Sequence, residues 1–246
     1  KIDQMACRMD FDLRSRSGTV VVNTAVFSLA DLVDSLPLIC AVFQHGFAMG
    51  RMVALFPPGE RIGEETIPAH AIGLGTVCSI SLNGVLLSQG IPTVSRFGGL
   101  LELQDKKPIR FAEIITYEGT SIDPLEIFIS SGMTDCGGAI ASGNGRIGAS
   151  FREFPAVSRN QVVEIGERLE EIGLGGVFRI GWPSHPLLEI PVQEGRVGAI
   201  LSGGLNPVAV MIERGKKLRF KALAGLVGYD RLFPFDDLGD HLADWS

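Results

Sequence analysis

Two pseudo-repeated αβ halves carrying largely antiparallel or mixed sheets, an α+β (mixed α/β) fold, are what three features of this sequence predict. The first is composition. The chain has 246 residues, 46% hydrophobic and 20% charged, enough apolar material for a large core and too much for a disordered chain. The second is internal similarity. "IPAHAIGLGTVCSISLNGVLLSQG" (67–90) lies without gaps over "IPVQEGRVGAILSGGLNPVAVMIE" (190–213), matching Gly75 with Gly198, Ser79 with Ser202, and Leu82-Asn83 with Leu205-Asn206. The third is alternation: apolar and polar residues exchange with period two in several segments bounded by glycine and proline.

The elements follow in order. The opening run places Met5, Cys7, Met9, Phe11 and Leu13 against Arg8, Asp10, Asp12 and Arg14, which predicts an antiparallel strand with one wet face. "GTVVVNTAVF" from Gly18 is a strand that ends at Ser28, where "SLAD" has the form of a capping box. The helix that follows uses Leu29, Leu32, Val33, Leu36 and Ile39, with Pro37 expected to kink it. In the second half, "GRIGASFREFPAVSRNQVV" from Gly145 resembles this segment given a short insertion. Ser158 opens the capping pattern "SRNQ", and Val162, Ile165, Leu169 and Ile172 form a helical stripe that stops at Gly173. Further strands are "RMVALFP", "GGVFRIGWP", the runs before Asn83 and Asn206, and "IRFAEIITYEG". The Gly/Ala/Ser-rich stretch from Ser131 to Gly145 reads as the connection between halves of about 1–135 and 145–246 within a single domain, 1–246.

Charge and cysteine usage narrow the function. A net charge of −6 with both signs interspersed is no nucleic-acid footprint. The four cysteines, Cys7, Cys40, Cys78 and Cys136, are widely spaced, which reads as reduced thiols of a cytoplasmic protein. No signal peptide is recognised, and the longest uncharged run, Ser35 to Gly50, is short of a membrane span.

Motifs of catalysis are scarce. No nucleophile elbow, Walker A loop, zincin signature or paired His/Cys ligand set occurs. A literal G-x-G-x-x-G at Gly143, Gly145 and Gly148 has no strand before it and an alternating segment after it, so it reads as linker. His45, His70, His185 and His241 are scattered. Cys78 sits in a small-residue strand that favours a buried thiol over a nucleophile, and the acidic tail with Asp237, Asp240 and His241 reads as a solvated end rather than a cation site.

The repeated turn carries the most chemistry. Asn83 and Asn206 each stand where a strand gives way to an apolar run, and Pro207 follows Asn206, the pattern of an N-cap with proline at the first helical position. Hydroxyls precede both: Ser79 and Ser81 in one half, Ser202 in the other. Such a turn aims backbone N–H groups of a helix start at an anion. Ser95, Arg96 and Arg110 lie close by in sequence, with Arg196 and Arg219 in the second half, and arginine grips a carboxylate with two parallel hydrogen bonds. These residues fit either a site for a small anion or a pair of plain helix caps with arginines facing solvent.

The strings "GTVCSISLNGVLLSQGIPTVSRFGGLLEL", "RFAEIITYEGTSIDPLEIFI" and "GNGRIGASFREFPAVSR" resemble the regulatory domain of the NrpR family, archaeal repressors of nitrogen-fixation and nitrogen-assimilation genes. The similarity spans nearly the whole chain. It implies a sensor, not an enzyme, with no cofactor and with 2-oxoglutarate as effector. It further implies a homodimer that meets operator DNA through a separate winged-helix domain, for which no recognition helix is present in this chain, or that acts through general transcription factors. The two alternatives are an oligomerisation module without ligand and an enzyme acting on a small carboxylate.

Overall fold

The computed structural model describes residues 2–243 and residue 245. The chain opens with helix α1 (Ile2–Arg8), where the alternation predicts a strand. Met5 and Met9 are four residues apart, a spacing that serves a helical face as well as a strand face, and Asp3 and Arg8 stand at the ends their charges favour. Strand β1 (Thr19–Phe27) leads into α2 (Leu29–Gln44), capped by Ser28, whose hydroxyl accepts from the Asp31 N–H. The helix runs through Pro37 without a break in its assignment.

Strand β2 (Met52–Phe56), a small hairpin of β3 (Arg61–Ile62) and β4 (Glu65–Thr66), and β5 (Ile72–Val77) follow. Next comes α3 (Ile80–Ser88), in which every residue from Ile80 to Leu86 is buried. A helix apolar on all sides belongs in the middle of a molecule.

Strands β6 (Val94–Gln104) and β7 (Lys107–Thr116) form a hairpin closed by Asp105 and Lys106, both at positive φ, as a two-residue primed turn requires. The stretch expected to be a loop, from Ser131 to Gly145, contains helix α5 (Cys136–Ser142), and α4 (Pro124–Ser130) ends just before it. Asp135 caps α5 and Gly143 ends it in the left-handed conformation. The Glu213 carboxylate accepts from the Cys136 and Gly137 N–H groups at 2.8 Å each. That carboxylate comes from a helix 76 residues away, which is why a glycine-rich run with poor propensity folds as a helix here.

The second half repeats the plan with β8 (Gly145–Pro155), α6 (Arg159–Glu171), β9 (Val177–Ile180), β10 (Arg196–Ser202), α7 (Asn206–Glu213) and β11 (Arg219–Gly228). Strand β12 (Phe233–Pro234) and α8 (Leu238–Ala243) close it. A single 3-10 turn, Ala156–Ser158, precedes α6, and the Ser158 side chain makes no capping bond; the turn has already consumed the position the capping box needs.

Two five-stranded sheets result, ordered β11-β1-β5-β2-β12 and β7-β6-β8-β10-β9, with every pairing antiparallel. Each sheet takes three strands from one half and two from the other: β11 and β12 flank β1, β5 and β2, and β6, with β7 beyond it, joins β8. The boundary near residues 135–145 therefore separates stretches of sequence but not sheets. The two strand-to-helix connections, 78–79 and 203–205, meet inside this exchange. Thr76 Oγ1 donates to the Gly204 carbonyl at 2.6 Å, and a methyl group added at Gly204 would collide with the Val77 carbonyl.

Candidate functional site

Around that meeting point lies a group of buried polar side chains: Asn23, Thr76, Ser79, Ser81, Asn83, Ser150, Arg152, Ser202 and Asn206. Most are there to join backbone to backbone. Ser81 Oγ bonds both the N–H and the carbonyl of Val21 at 3.0 Å, tying α3 to β1. Asn206 accepts from the Gly148 N–H at 2.8 Å and donates to the carbonyls of Phe47 and Gly148. Its amide is fully used.

Arg152 differs. It stands on β8, opposite Ser95 of β6 and Ala199 of β10, and is 0% exposed. Its Nε donates to Asn83 Oδ1 at 3.0 Å, one terminal nitrogen to Ser79 Oγ at 3.1 Å, and the other to the Phe151 carbonyl at 3.3 Å. A guanidinium has five N–H donors, so two are left over from these three bonds, within reach of the Tyr117 hydroxyl. Among the described residues no carboxylate forms an ion pair with it. Its next neighbour, Glu153, on the other face of the same strand, has the opposite arrangement: 1% exposed, it is paired with both Arg96 and Arg196. Burying a cation without an ion-paired anion costs several kcal/mol, and Arg152 is such a cation; the Asp123 carboxylate acts on it only from beyond ion-pair distance.

Arg152 itself lines none of the cavities among the described residues, but its neighbours line a cleft. Its guanidinium lies 5.5 Å from the Tyr117 ring centroid. Asn83, which accepts from Arg152, donates to Ser95 Oγ at 3.0 Å. Tyr117 and Ser95 both line a cleft of about 550 Å³, walled further by Asp123, Glu126, Lys221 and Leu223. An inner cavity of about 10 Å³, room for one water-sized group, shares Tyr117 and Asp123 with the cleft and reaches Ser79 and Cys78. A groove of about 620 Å³ beside α2 and α6 and a depression of about 1070 Å³ beside α1 also exist, but the charged side chains lining the first are solvated and neither reaches a buried charge.

Burial sets the protonation states here. Cys78 is pushed up to about 12, chiefly by desolvation, so it is a neutral thiol and a poor nucleophile. Tyr117 is raised for the same reason. Asp123, which caps α4 through the Leu125 N–H at 2.9 Å, is raised to about 6, with desolvation outweighing that bond, and with Glu126 adding to the rise and Arg152 opposing it. Among the described residues no His/Cys/Asp/Glu cluster could hold a metal ion.

Of the eight residues singled out in the sequence, Ser79, Asn83 and Ser95 converge on Arg152. Ser81 and Asn206 are occupied with backbone, and the Ser202 hydroxyl is buried with no partner among the described residues. Arg96 is spent on Glu153, and Arg110 pairs with Glu102 at 2.7 Å on the exposed strand β7. Neither asparagine is an N-cap. Asn83 is the fourth residue of α3 and Asn206 the first of α7, because each helix winds earlier than the strand-to-apolar transition implies.

Arg152, Tyr117 and Asp123 were not legible as site residues. The one signal was an Arg-Glu pair in the middle of "GASFREFP", where both faces of the strand are otherwise small or apolar.

A family model for NrpR regulatory domains 1 and 2 matches residues 1–233. The global nitrogen regulator NrpRI of Methanosarcina mazei is 32% identical over 94% of this chain and 71% of its own length. The global nitrogen regulator NrpR of Methanocaldococcus jannaschii is 26% identical over 97% of this chain but only 40% of its own length. The crystal structure of a nitrogen repressor-like protein from Methanococcus jannaschii superposes with a TM-score of 0.80 at 26% identity, covering 95% of this chain and 96% of that one. With its whole length bar the last residues accounted for in this way, the chain belongs to the family of NrpR regulatory domains.

Proposed function

We propose that this chain is the effector-sensing part of a repressor of nitrogen genes, and that its effector is a small dicarboxylate, 2-oxoglutarate, bound in the cleft above Arg152. The observation that carries this reading is the buried guanidinium with spare donors and no carboxylate partner. A ligand carboxylate would supply the missing anion, and Lys221 at the outer wall is the second cation within the same cleft.

The sensing step follows from what Arg152 holds. It ties β8 of one sheet to Asn83 and Ser79 of the helix that issues from the other. A ligand that draws the guanidinium toward Tyr117 competes with those bonds, so it has different affinities for the tied and untied arrangements. Such a difference is the condition for any effector to shift a conformational equilibrium. In the intact regulator the shift would pass to a dimer and to a separate DNA-binding domain.

Isothermal titration with 2-oxoglutarate, with succinate and glutamate as controls, tests this. Arg152→Met removes the charge at similar volume but leaves Asn83 Oδ1, Ser79 Oγ and the Phe151 carbonyl without this donor, so its thermal midpoint should fall, and binding is measured well below that midpoint. It should weaken 2-oxoglutarate at least about 100-fold, in line with loss of a desolvated charge-assisted pair. Equal binding by parent and variant sinks the assignment.

A further inference from the structure

We propose that Asp123 makes this a site for an anion and a proton together: the cleft takes up a small carboxylate only as Asp123 takes a proton from solvent. The inference rests on the reading that the cleft binds such a ligand. Asp123 and Tyr117 line both the inner cavity and the outer cleft, and the Arg152 guanidinium lies 5.5 Å from the Tyr117 ring centroid, so a ligand at the inner end of the cleft stands beside the Asp123 carboxyl group on the side of Arg152.

The groups facing Asp123 come from every element around it. From α4, the Leu125 N–H donates to one carboxyl oxygen, and Glu126 repels the carboxylate form. From β8, Arg152 attracts that form. Tyr117, after β7, and Cys78, before α3, are both raised by burial and stay neutral. From β11, Lys221 stands 4.0 Å from Glu126, whose other oxygen accepts the Ala222 N–H at 2.6 Å, so a ligand in the cleft shares that cation with Glu126. Asp3 of α1 and Glu118 add negative charge to the outer wall. The anionic groups on the cleft thus outnumber the cations left to meet a dianion.

The free site already holds Asp123 near pH 6, at the edge of the physiological range. A bound carboxylate adds a like charge next to it and neutralises the one cation that favoured its ionised form, and both effects raise it further. The event is an acid–base step only: Asp123 carboxylate and one solvent proton give the carboxylic acid, whose O–H donates to a ligand oxygen. Affinity for the anion therefore falls as pH rises above about 6, by up to about tenfold per pH unit.

The test is titration calorimetry of the full chain with 2-oxoglutarate at about pH 6 and about pH 8. Each pH is run in two buffers of different ionisation enthalpy, which counts the protons taken up. Asp123→Asn keeps an N-cap residue and removes the titration. The expected result is uptake approaching one proton at the higher pH in the parent and none in the variant, with the variant binding about 100-fold tighter than the parent at about pH 8. Binding by the parent with no proton uptake and the same pH profile in Asp123→Asn overturns this inference and leaves the site in place. No saturable heat from either protein at either pH overturns the site and the inference together.

Discussion

Asn206 and Arg152 show two uses of a buried polar side chain. Asn206 spends every donor and acceptor on backbone, closing β8 and the chain near Phe47 around the start of α7. Asn206→Ala would take the side-chain partner from the buried Gly148 N–H and from the Phe47 carbonyl, and leave the Gly148 carbonyl with the Gly203 N–H. It should lower unfolding free energy by about 2–4 kcal/mol in urea denaturation, with 2-oxoglutarate affinity measured in native buffer unchanged. Arg152 keeps donors in reserve, and Ser202 keeps a whole hydroxyl. Unused capacity, not polarity, separates the residue that could receive a ligand from the one that holds the fold. The repeat drew attention to Asn83 and Asn206 as equivalents, and their surroundings make them different: Asn83 bonds a side chain at the site, whereas Asn206 bonds main chain.

At the scale of elements, the connections matter more than the helices they start. Sequence periodicity placed β1, β2, β5, β7, β8 to β10, α2 and α6 where the structure has them, because alternation and the 3.6-residue stripe are properties of a few neighbouring residues. It missed α1, α4, α5, β6 and β11. Helix α5 depends on a carboxylate from α7, and β6 is flanked by partners drawn from both halves. The glycines between β10 and α7 mark another such place. Gly204 packs against the Val77 carbonyl and the Asn23 amide with no room for a Cβ, although its own φ is not in the left-handed region. Gly204→Ala has to push the two connections apart, so a loss of about 2 kcal/mol or more is expected in thermal or chemical denaturation. Gly215, at positive φ with nothing within 4 Å, lies outside this contact; its alanine variant should lose about 1 kcal/mol, from backbone strain alone.

For the whole molecule, the exchange of β6 and β11 makes the two halves one folding unit. Fragment 1–135 would carry β6 with no β8 beside it, and fragment 145–246 would carry β11 with no β1. Each exposes a long, apolar strand edge. Each fragment alone should lack a cooperative thermal transition by circular dichroism, and an equimolar mixture should regain one together with a single species of summed mass in sedimentation. Fragments that fold independently would show that the exchanged strands contribute little. The same exchange places the candidate site where sheets from both halves meet, so a ligand there acts on the contact between them.

By itself the sequence determined the fold class, most elements and the family, since each is written in local periodicity or in strings of contiguous residues. Three candidate residues, Ser79, Asn83 and Ser95, lie in or near the first turn and were legible for the same reason. Tertiary structure alone decided that Arg96 is neutralised by Glu153 while Arg152 is not, and that Tyr117 and Asp123 stand over it. Whether a charge is paired depends on what the fold brings within 4 Å of it, and Arg96 and Glu153, 57 residues apart in sequence, become neighbours only through the pairing of β6 with β8.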